Sequence, residues 1–362
     1  MTDPAHFRAQ FPVFEHVSYL NAGTEGPLSQ RAGDAARERV AAEVADGRAG
    51  KAYIQTIRGL ATELRDGYAR VLGCDPTTVA LTGSTTDGVN TILSGLELRA
   101  GDEILTSDEE HPGLLAPLAR AQHLHGVKLR IAPFAALTSA VTGATRLIAT
   151  SHVSWVSGQV VDYAGLAATG VPVLLDAAQG IGAVPADVNA LGCAFYAASG
   201  QKWLSGPEGS GCLYVRPDQL DTLTVPWPGY ASLADAKNPL TSPPAEHAAR
   251  LDHGFPPGLR SAWALASLSV LEEAGLDWVY SRAADLAAGL AAALAERGLE
   301  VGPRGRSTLV SWRAQDADAE VTRLAESGFV VRSIPSHSYV RASVGAWSSE
   351  EELAELVSLA AG

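Results

Sequence analysis

Two short runs place chemically capable side chains at the ends of apolar segments. The first is Val171-Pro-Val-Leu-Leu-Asp176-Ala-Ala-Gln179, an apolar strand candidate that ends on a carboxylate. The second is Phe195-Tyr-Ala-Ala-Ser199-Gly-Gln201-Lys202-Trp-Leu, a shorter apolar run that ends on Ser-Gly-Gln-Lys. A glycine-rich turn, Gly206-Pro-Glu-Gly209-Ser-Gly211, and another strand candidate, Cys212-Leu-Tyr-Val215, follow. In open α/β sheets, ligands sit beyond the carboxyl ends of the strands. Asp176 and Lys202 are therefore expected to project into one crevice.

A lysine amine and a carboxylate in one crevice meet the needs of pyridoxal 5′-phosphate (PLP). The amine forms a Schiff base with the aldehyde and is activated by desolvation or a neighbouring cation. The carboxylate keeps the pyridine nitrogen protonated, which makes the ring an electron sink. Asp176 alone reads as a helix cap and Lys202 alone as a surface charge. Together, with Ser199 and the glycine turn at matching strand ends, they point to the cofactor.

Other polar residues also fall at expected strand ends. Thr78-Val-Ala-Leu-Thr82 reads as a strand, followed by Gly83-Ser84-Thr85-Thr86-Asp87-Gly88 and a helix from Val89. A small, hydroxyl-rich turn at a helix N-terminus suits an anion, because free N–H groups and the helix dipole point at it. Simple capping by Ser84 or Thr85 would give the same pattern. Asp102-Glu-Ile-Leu-Thr106 is another strand candidate, leading into Asp108-Glu-Glu-His111-Pro-Gly. A lone histidine there reads as a loop residue, although its usual titration range suits acid–base work. The run Thr145-Arg-Leu-Ile-Ala-Thr-Ser151-His152-Val-Ser154-Trp155 reads as a strand with a polar end at the same crevice.

Asp176-Ala-Ala-Gln179 followed by Ser199-Gly-Gln-Lys202-Trp-Leu-Ser-Gly-Pro-Glu-Gly resembles the signature of class V aminotransferases. That family includes cysteine desulfurases, amino-acid C–S lyases and isopenicillin N epimerase-like proteins. The resemblance runs from about Tyr19 to the C-terminus. It implies an α/β protein of PLP fold-type I. The large domain would be mostly parallel and of the seven-stranded type, with helices on both faces, beside a smaller α+β C-terminal domain. It implies that Lys202 is the Schiff-base lysine and proton carrier, and that Asp176 pairs with the pyridinium nitrogen. Gln179 would donate to the ring phenolate oxygen, and Thr85, Thr86 and Ser199 would hold phosphate. His111 would stack on the ring. Arg341 would clamp the substrate α-carboxylate, a task that suits a guanidinium fork. Asn21, in the short strand and turn Tyr19-Leu-Asn-Ala-Gly23, would lie at the mouth of the site. A homodimer with the site at the subunit interface is also implied.

The chain departs from that pattern in three places. Gln201 stands where the family often has a phosphate-contacting histidine, and it can still donate. Trp155 stands where the desulfurases have an asparagine near the cofactor, which points to a different substrate pocket. The desulfurases carry a Gly-Thr-Pro segment whose threonine reaches the neighbouring subunit's phosphate. The local match here, His253-Gly254-Phe255-Pro256, has no hydroxyl, and Ser261 is a candidate substitute.

These residues need a frame to hold them. Alternating strands and helices from 78 to 215 predict a mostly parallel sheet. Helices are expected at 29–47, 56–72, 114–125, 261–274 and 277–297, and near the C-terminus from Ser348. Arg58 and Arg65 are expected on the polar side of the second. Further strands are expected at 128–132, 309–312, 329–332 and 338–343. The proline-rich stretch 225–258 reads as loop. The expected units are an N-terminal arm (1–18) with Phe7, Phe11 and Phe14, a large PLP-binding domain (19–245) and a small C-terminal domain (246–362).

Composition narrows the partners. A chain of 362 residues with 46% hydrophobic content can bury a large core, and its net charge of −13 argues against nonspecific nucleic-acid binding. No signal-type N-terminus and no apolar run of membrane-spanning length are found. Cys74, Cys193 and Cys212 lack metal-type spacing, so no metal is expected. Free thiols in a reducing cytoplasm are the simplest reading.

The same cysteines bear on the reaction. A desulfurase that carries a persulfide needs a mobile cysteine near the carboxylate-binding arginines. Between Arg332 and Arg341 the chain has only Ser-Ile-Pro-Ser-His-Ser-Tyr-Val. The leading expectation is therefore a C–S lyase that acts on a cysteine conjugate by β-elimination and gives pyruvate, ammonia and a thiol. An aminotransferase and an isopenicillin N epimerase-like enzyme are the alternatives. A PLP-binding protein without catalysis is the reading of a different class. It is opposed by the presence of the lysine, the carboxylate and the arginine together.

Overall fold

The computed structural model describes residues 2–252, 254 and 257–361. The strands, in chain order, begin with β1 (Ser18–Tyr19). Seven more build the large sheet: β2 (Val79–Thr82), β3 (Glu103–Ser107), β4 (Lys128–Ala132), β5 (Thr145–Ser151), β6 (Val173–Asp176), β7 (Phe195–Ser199) and β8 (Gly211–Val215). The last four are β9 (Leu309–Arg313), β10 (Phe329–Val330), β11 (Arg332–Ile334) and β12 (Tyr339–Ser343).

The seven-stranded sheet has the order β2-β8-β7-β6-β5-β3-β4, and β8 alone runs antiparallel to both of its neighbours. Its inner strands are largely apolar because both faces are covered there, as parallel sheets require, whereas the edge strand β4 leaves Lys128, Arg130 and Ile131 exposed. Period-two alternation then sorts the side chains. Leu175, Tyr196 and Ile148 join one buried cluster with Leu64, Tyr68 and Leu72 of the helix Gly50–Leu72. Leu174, Phe195 and Leu147 join another with Val89, Ile92 and Leu114. The fold is thus α/β with a mostly parallel central sheet. A second sheet, β11-β12-β9, is antiparallel and packs on the helices Leu276–Glu296 and Ala317–Glu326 through Val310, Trp312, Leu324 and Val340.

Several boundaries differ from expectation for physical reasons. The helix expected from Val89 starts at Thr85, because the Ser84 hydroxyl accepts the Asp87 N–H and caps it one turn earlier. β5 stops at Ser151 and does not run to Trp155. The buried Glu110 carboxylate takes the Ser151 N–H and hydroxyl there, and the chain turns away. The strand expected at 329–332 is two strands. Residues 329–330 pair with β1, and residues 332–334 pair with β12. Arg65 is not on a solvated face. It makes a two-pronged ion pair with Asp252 and also donates to the Val79 carbonyl.

The expected boundary near 245 lies in the long irregular stretch between β8 and the helix Gly258–Ala274. That helix packs against both Gln30–Asp46 and Gly50–Leu72. The first 18 residues fold onto the body. Asp3 caps the helix Pro4–Arg8, and Arg8 reaches Glu352 of the C-terminal helix through both carboxylate oxygens (3.1 and 2.8 Å). Phe7 and Phe11 are fully buried against Trp278 and Trp347, with ring centroids 5.3 and 5.1 Å apart in the closest pairs. This aromatic cluster clamps the two ends of the chain together. Phe7→Ala should therefore cost about 3–5 kcal/mol, read as a lowered midpoint in chemical denaturation.

Candidate active site

A cavity of about 260 Å³ opens at the carboxyl ends of the central strands. Asp176 closes β6 and Ser199 closes β7, and both line it. Lys202 enters from the turn after β7, Thr85 and Thr86 from the helix start after β2, and His111 from the loop after β3. Gln179, Gln201, Trp155 and Arg341 complete the expected set. Asn21 is not part of the lining; its side-chain oxygen accepts from the Thr24 hydroxyl at 2.8 Å, and Gly23, Thr24 and Glu25 line the cavity instead. Ser261 is fully buried and lines a neighbouring cavity beside Gly83 and Asp87. His253, Phe255 and Pro256, the match to the Gly-Thr-Pro segment, lie outside the described residues.

The charges in this cavity act on one another. Burial pushes the Lys202 amine down to about 8, against the pull of Asp176, and the Arg341 charge lowers it further. About a tenth of the amine is therefore neutral at pH 7, against well under a thousandth for an ordinary lysine. Burial pushes the Asp176 carboxyl up, and the Ala178 N–H at 3.0 Å and the Lys202 charge pull it back. Burial and three cationic neighbours, Lys202, Arg332 and Arg341, hold His111 near 4, so the ring is neutral. His111 caps the helix Pro112–His125, with Nδ1 accepting from the Gly113 N–H at 2.9 Å. Its proton therefore sits on Nε2.

Neighbours hold the cavity side chains in place. The Gln179 amide donates to the Gly23 carbonyl at 2.7 Å and accepts from the Trp203 indole N–H at 2.9 Å. Only one orientation of the amide satisfies both partners, and it leaves one N–H free to donate. The Ser199 hydroxyl accepts the Thr85 N–H at 2.9 Å and pairs with the Thr85 hydroxyl at 2.7 Å. The Thr86 hydroxyl donates to the Gly113 carbonyl at 3.2 Å. Gly23 and Gly26 allow the N-terminal turn to lie directly on the site. A Cβ on Gly23 would sit 2.9 Å from Arg341, and one on Gly26 would sit 2.0 Å from the Lys202 carbonyl oxygen.

Sequence reasoning did not anticipate three features. Arg332 is the direct cross-strand partner of Arg341 in the β11–β12 hairpin, so both side chains leave the same face. It donates to the Thr24 hydroxyl at 3.1 Å and lies over the Trp155 ring, 5.8 Å from its centroid. The arginines' symmetric placement about the turn at 335–338 was the available signal. Second, the carboxylates before His111 are braces. Glu110 accepts from Ser107, Thr150 and Ser151, and Glu109 from Ser154 and Ser157. They tie the His111 loop to the 151–157 loop that carries Trp155, which meets His111 edge-on at 4.8 Å. Third, Glu25 lines the cavity.

The residues fit PLP and an amino-acid carboxylate. Asp176 is a buried carboxylate suited to a ring N–H⁺, and Lys202 is a buried amine with a lowered proton affinity. Arg341 is fully buried, donates from Nη1 to the Trp155 carbonyl at 2.7 Å, and leaves Nε and Nη2 without partners. Unpaired buried guanidinium donors beside a second arginine call for an anion. Among the described residues, no cluster of His, Cys, Asp and Glu is arranged to hold a metal, and no helix is long and apolar enough to cross a membrane.

Comparison with known proteins agrees with this geometry. The family model "Aminotransferase class-V" matches residues 20–356. Isopenicillin N epimerase from Streptomyces clavuligerus is 34% identical over 262 residues, which cover 67% of this chain and 63% of the epimerase, so the match spans under two thirds of that relative. Cysteine desulfurase CsdA from Escherichia coli is 30% identical over 63% of this chain and 61% of its own. Among solved structures, the cystine C–S lyase C-DES, in complex with its reaction product cysteine persulfide, superposes with a TM-score of 0.92. It shares 28% identity, and the superposition covers 97% of this chain and 99% of C-DES. Another C-DES structure, a point variant with glycine covalently linked to the PLP cofactor, also superposes with a TM-score of 0.92, at 28% identity and over 98% of both chains.

The lowered proton affinity of Lys202 has a measurable consequence. Only the neutral amine attacks an aldehyde. The rate of covalent PLP incorporation into cofactor-free protein should rise with pH up to about 8 and then level off, followed by visible absorbance. An ordinary surface lysine would keep gaining to above about 10.

Proposed function

The chain belongs to the class-V aminotransferase family of PLP-dependent enzymes, and from that premise we propose that it cleaves a carbon–sulfur bond by β-elimination in a cysteine conjugate, giving pyruvate, ammonia and a thiol. One observation carries the choice of reaction. β11 and β12 are joined by residues 335–338 alone, Pro-Ser-His-Ser, so the hairpin that holds the two arginines has neither a cysteine nor the length to move one. The three cysteines offer no substitute: none of them lines the cavity, Cys193 and Cys212 are buried in the core, and burial pushes the Cys193 thiol up to about 12. Sulfur therefore leaves as a small molecule and is not stored on the protein. C-DES, described as a cystine C–S lyase, supports the same choice.

When bound, PLP supplies an aldehyde for the substrate amine and a pyridinium ring that takes up the electron pair left at the α-carbon. Lys202 would hold the aldehyde, and its amine, when free, would take the α-proton. Asp176, buried at the end of β6, would accept from the ring N–H⁺. Gln179 donates its free N–H to the ring oxygen. Thr85, Thr86, Ser199 and Gln201 hold the phosphate at the start of the helix Thr85–Gly95. Neutral His111 packs on the ring. Arg341 and Arg332 clamp the α-carboxylate, which fixes the Cα–H bond towards Lys202. The Cβ–S bond would break with its electron pair leaving on sulfur, which takes up a proton, and water would hydrolyse the released three-carbon enamine to pyruvate and ammonia. Trp155 shapes the space for the group attached to that sulfur.

An epimerase is the second reading, favoured by the match to the Streptomyces enzyme. It shares the first proton transfer and differs in where the proton returns. A class V aminotransferase also shares that step. A homodimer belongs to the same proposal, supported by Trp227, Tyr230 and Leu240 standing exposed on the loop after β8.

Product analysis tests the reaction. Holoenzyme with cysteine S-conjugates should release thiol and pyruvate in equal amounts. Conversion of the cofactor to the pyridoxamine form without thiol would instead identify an aminotransferase, and loss of α-configuration without thiol an epimerase. Lys202→Ala should lower turnover by at least about a thousandfold, the upper range of acid–base contributions, and remove the cofactor's lysine-linked absorbance. Arg341→Lys should raise KM by roughly tenfold to a hundredfold, the worth of a charge-assisted hydrogen bond.

A further inference from the structure

One carboxylate in the cavity has no part in the roles above. Glu25 lines the same wall as Lys202, Arg332 and Arg341. Its N–H donates to the Asn21 carbonyl at 3.2 Å, its carbonyl accepts the Tyr19 hydroxyl at 2.9 Å, and the next N–H, that of Gly26, donates to the Gln201 carbonyl at 2.8 Å. The contact of Gly26 with the Lys202 backbone leaves no room for a side chain. The turn cannot swing away, so Glu25 stays at the cavity. Its side chain is half-buried, and among the described residues its carboxylate makes no hydrogen bond or ion pair. Burial and the neighbouring Glu208 charge push it up to about 6, and Lys202 draws it back. It is mostly ionised at neutral pH and lacks a partner that would offset its lost hydration.

The other end of the same turn has the opposite charge. Gly23 packs on Arg341, and the Thr24 hydroxyl accepts from Arg332. Along residues 23–26, two guanidiniums lie against one end and the Glu25 carboxylate lies towards the lysine end. With the substrate carboxylate on the arginines, a complementary ligand presents a cation towards Glu25. The α-amine cannot be that cation, because the cofactor aldehyde consumes it.

We propose that Glu25 selects the substrate: an amino acid whose side chain carries a second cationic group, an ammonium or amidinium beyond Cβ. Glu25 is a specificity residue in this assignment and takes no proton from the reacting carbon. The proposal rests on the reading that Arg341 and Arg332 hold the α-carboxylate. It does not depend on which bond the enzyme breaks.

Lysine and norleucine separate the two questions. They are close in shape, differ in the distal charge, and have no leaving group at Cβ. Binding to the holoenzyme is read from the change in cofactor absorbance. Lysine should bind at least about tenfold more tightly than norleucine, the worth of one charge-assisted hydrogen bond. In Glu25→Gln the ratio of the two dissociation constants should fall towards one, and in Glu25→Asp part of the preference should return. Circular dichroism of each variant checks that it is folded. Absence of a lysine preference in the unaltered protein would overturn the proposal. So would a preference that survives in Glu25→Gln, or Glu25→Gln weakening both ligands equally. Failure of the lyase reading would look different: no thiol from any conjugate, with the lysine-to-norleucine ratio intact.

Discussion

The site depends on an amine kept out of water beside a carboxylate that is equally dry. Burial disfavours the charged form of each, lowering the proton affinity of Lys202 and raising that of Asp176, while each charge partly restores the other. Neither shift would exist on an open surface. The pair therefore needs a sheet with both faces covered, so that the strand ends lie inside the protein. β6 and β7 meet that need: every residue of both is buried. The antiparallel β8 follows β7 directly, which sends the chain back through the Lys202 turn instead of over a crossover helix.

The second dependence runs between the two sheets. Arg341 belongs to the small sheet, yet it donates to the Trp155 carbonyl on a loop of the large one. Ser311 and Ser307 do the same, donating to the carbonyls of Val156 and Gly158. The 155–158 segment is thus the seat on which the small sheet rests. Glu109 fixes that seat from the other side through Ser154 and Ser157, and the next two residues of its own loop are Glu110 and His111. Hydrogen bonds and the short backbone segments between them therefore link His111 to Arg341. A shift of the loop would move both together.

How far the sequence reveals the site follows the range of the interactions. Asp176, Ser199 and Lys202 were legible because each closes a short apolar run, and a run of that kind states locally where its strand ends. Thr85 and Thr86 were legible for the same reason, as hydroxyls at a helix start. The position of that start was misjudged, since Thr-Thr-Asp-Gly has weak helix propensity. Gly88 explains why the helix holds: with no side chain it lies against Ala197 of β7, where a Cβ would come within 2.8 Å of its neighbour. That packing is invisible to propensity. The pinning of Gln179 by Trp203, the brace at Glu110 and the pairing of Arg332 with Arg341 were also hidden, because each joins a partner that only the fold supplies. Arg341 was found through resemblance; its cross-strand neighbour needed the register.

That register decides the chemistry. Like charges directly opposite one another across two strands are destabilising. The hairpin accepts this at Arg332 and Arg341: burial pushes Arg341 down to about 9, and the Arg332 charge adds to the shift. The Trp155 carbonyl and ring and the Thr24 hydroxyl offset part of the cost. A one-residue slip would send one arginine to the opposite face and destroy the clamp, so the connection has to be short enough to fix the pairing. A connection that short has no length with which to carry a thiol to the substrate. The same four residues that align the arginines thus leave this hairpin without the mobile cysteine on which a persulfide could be held.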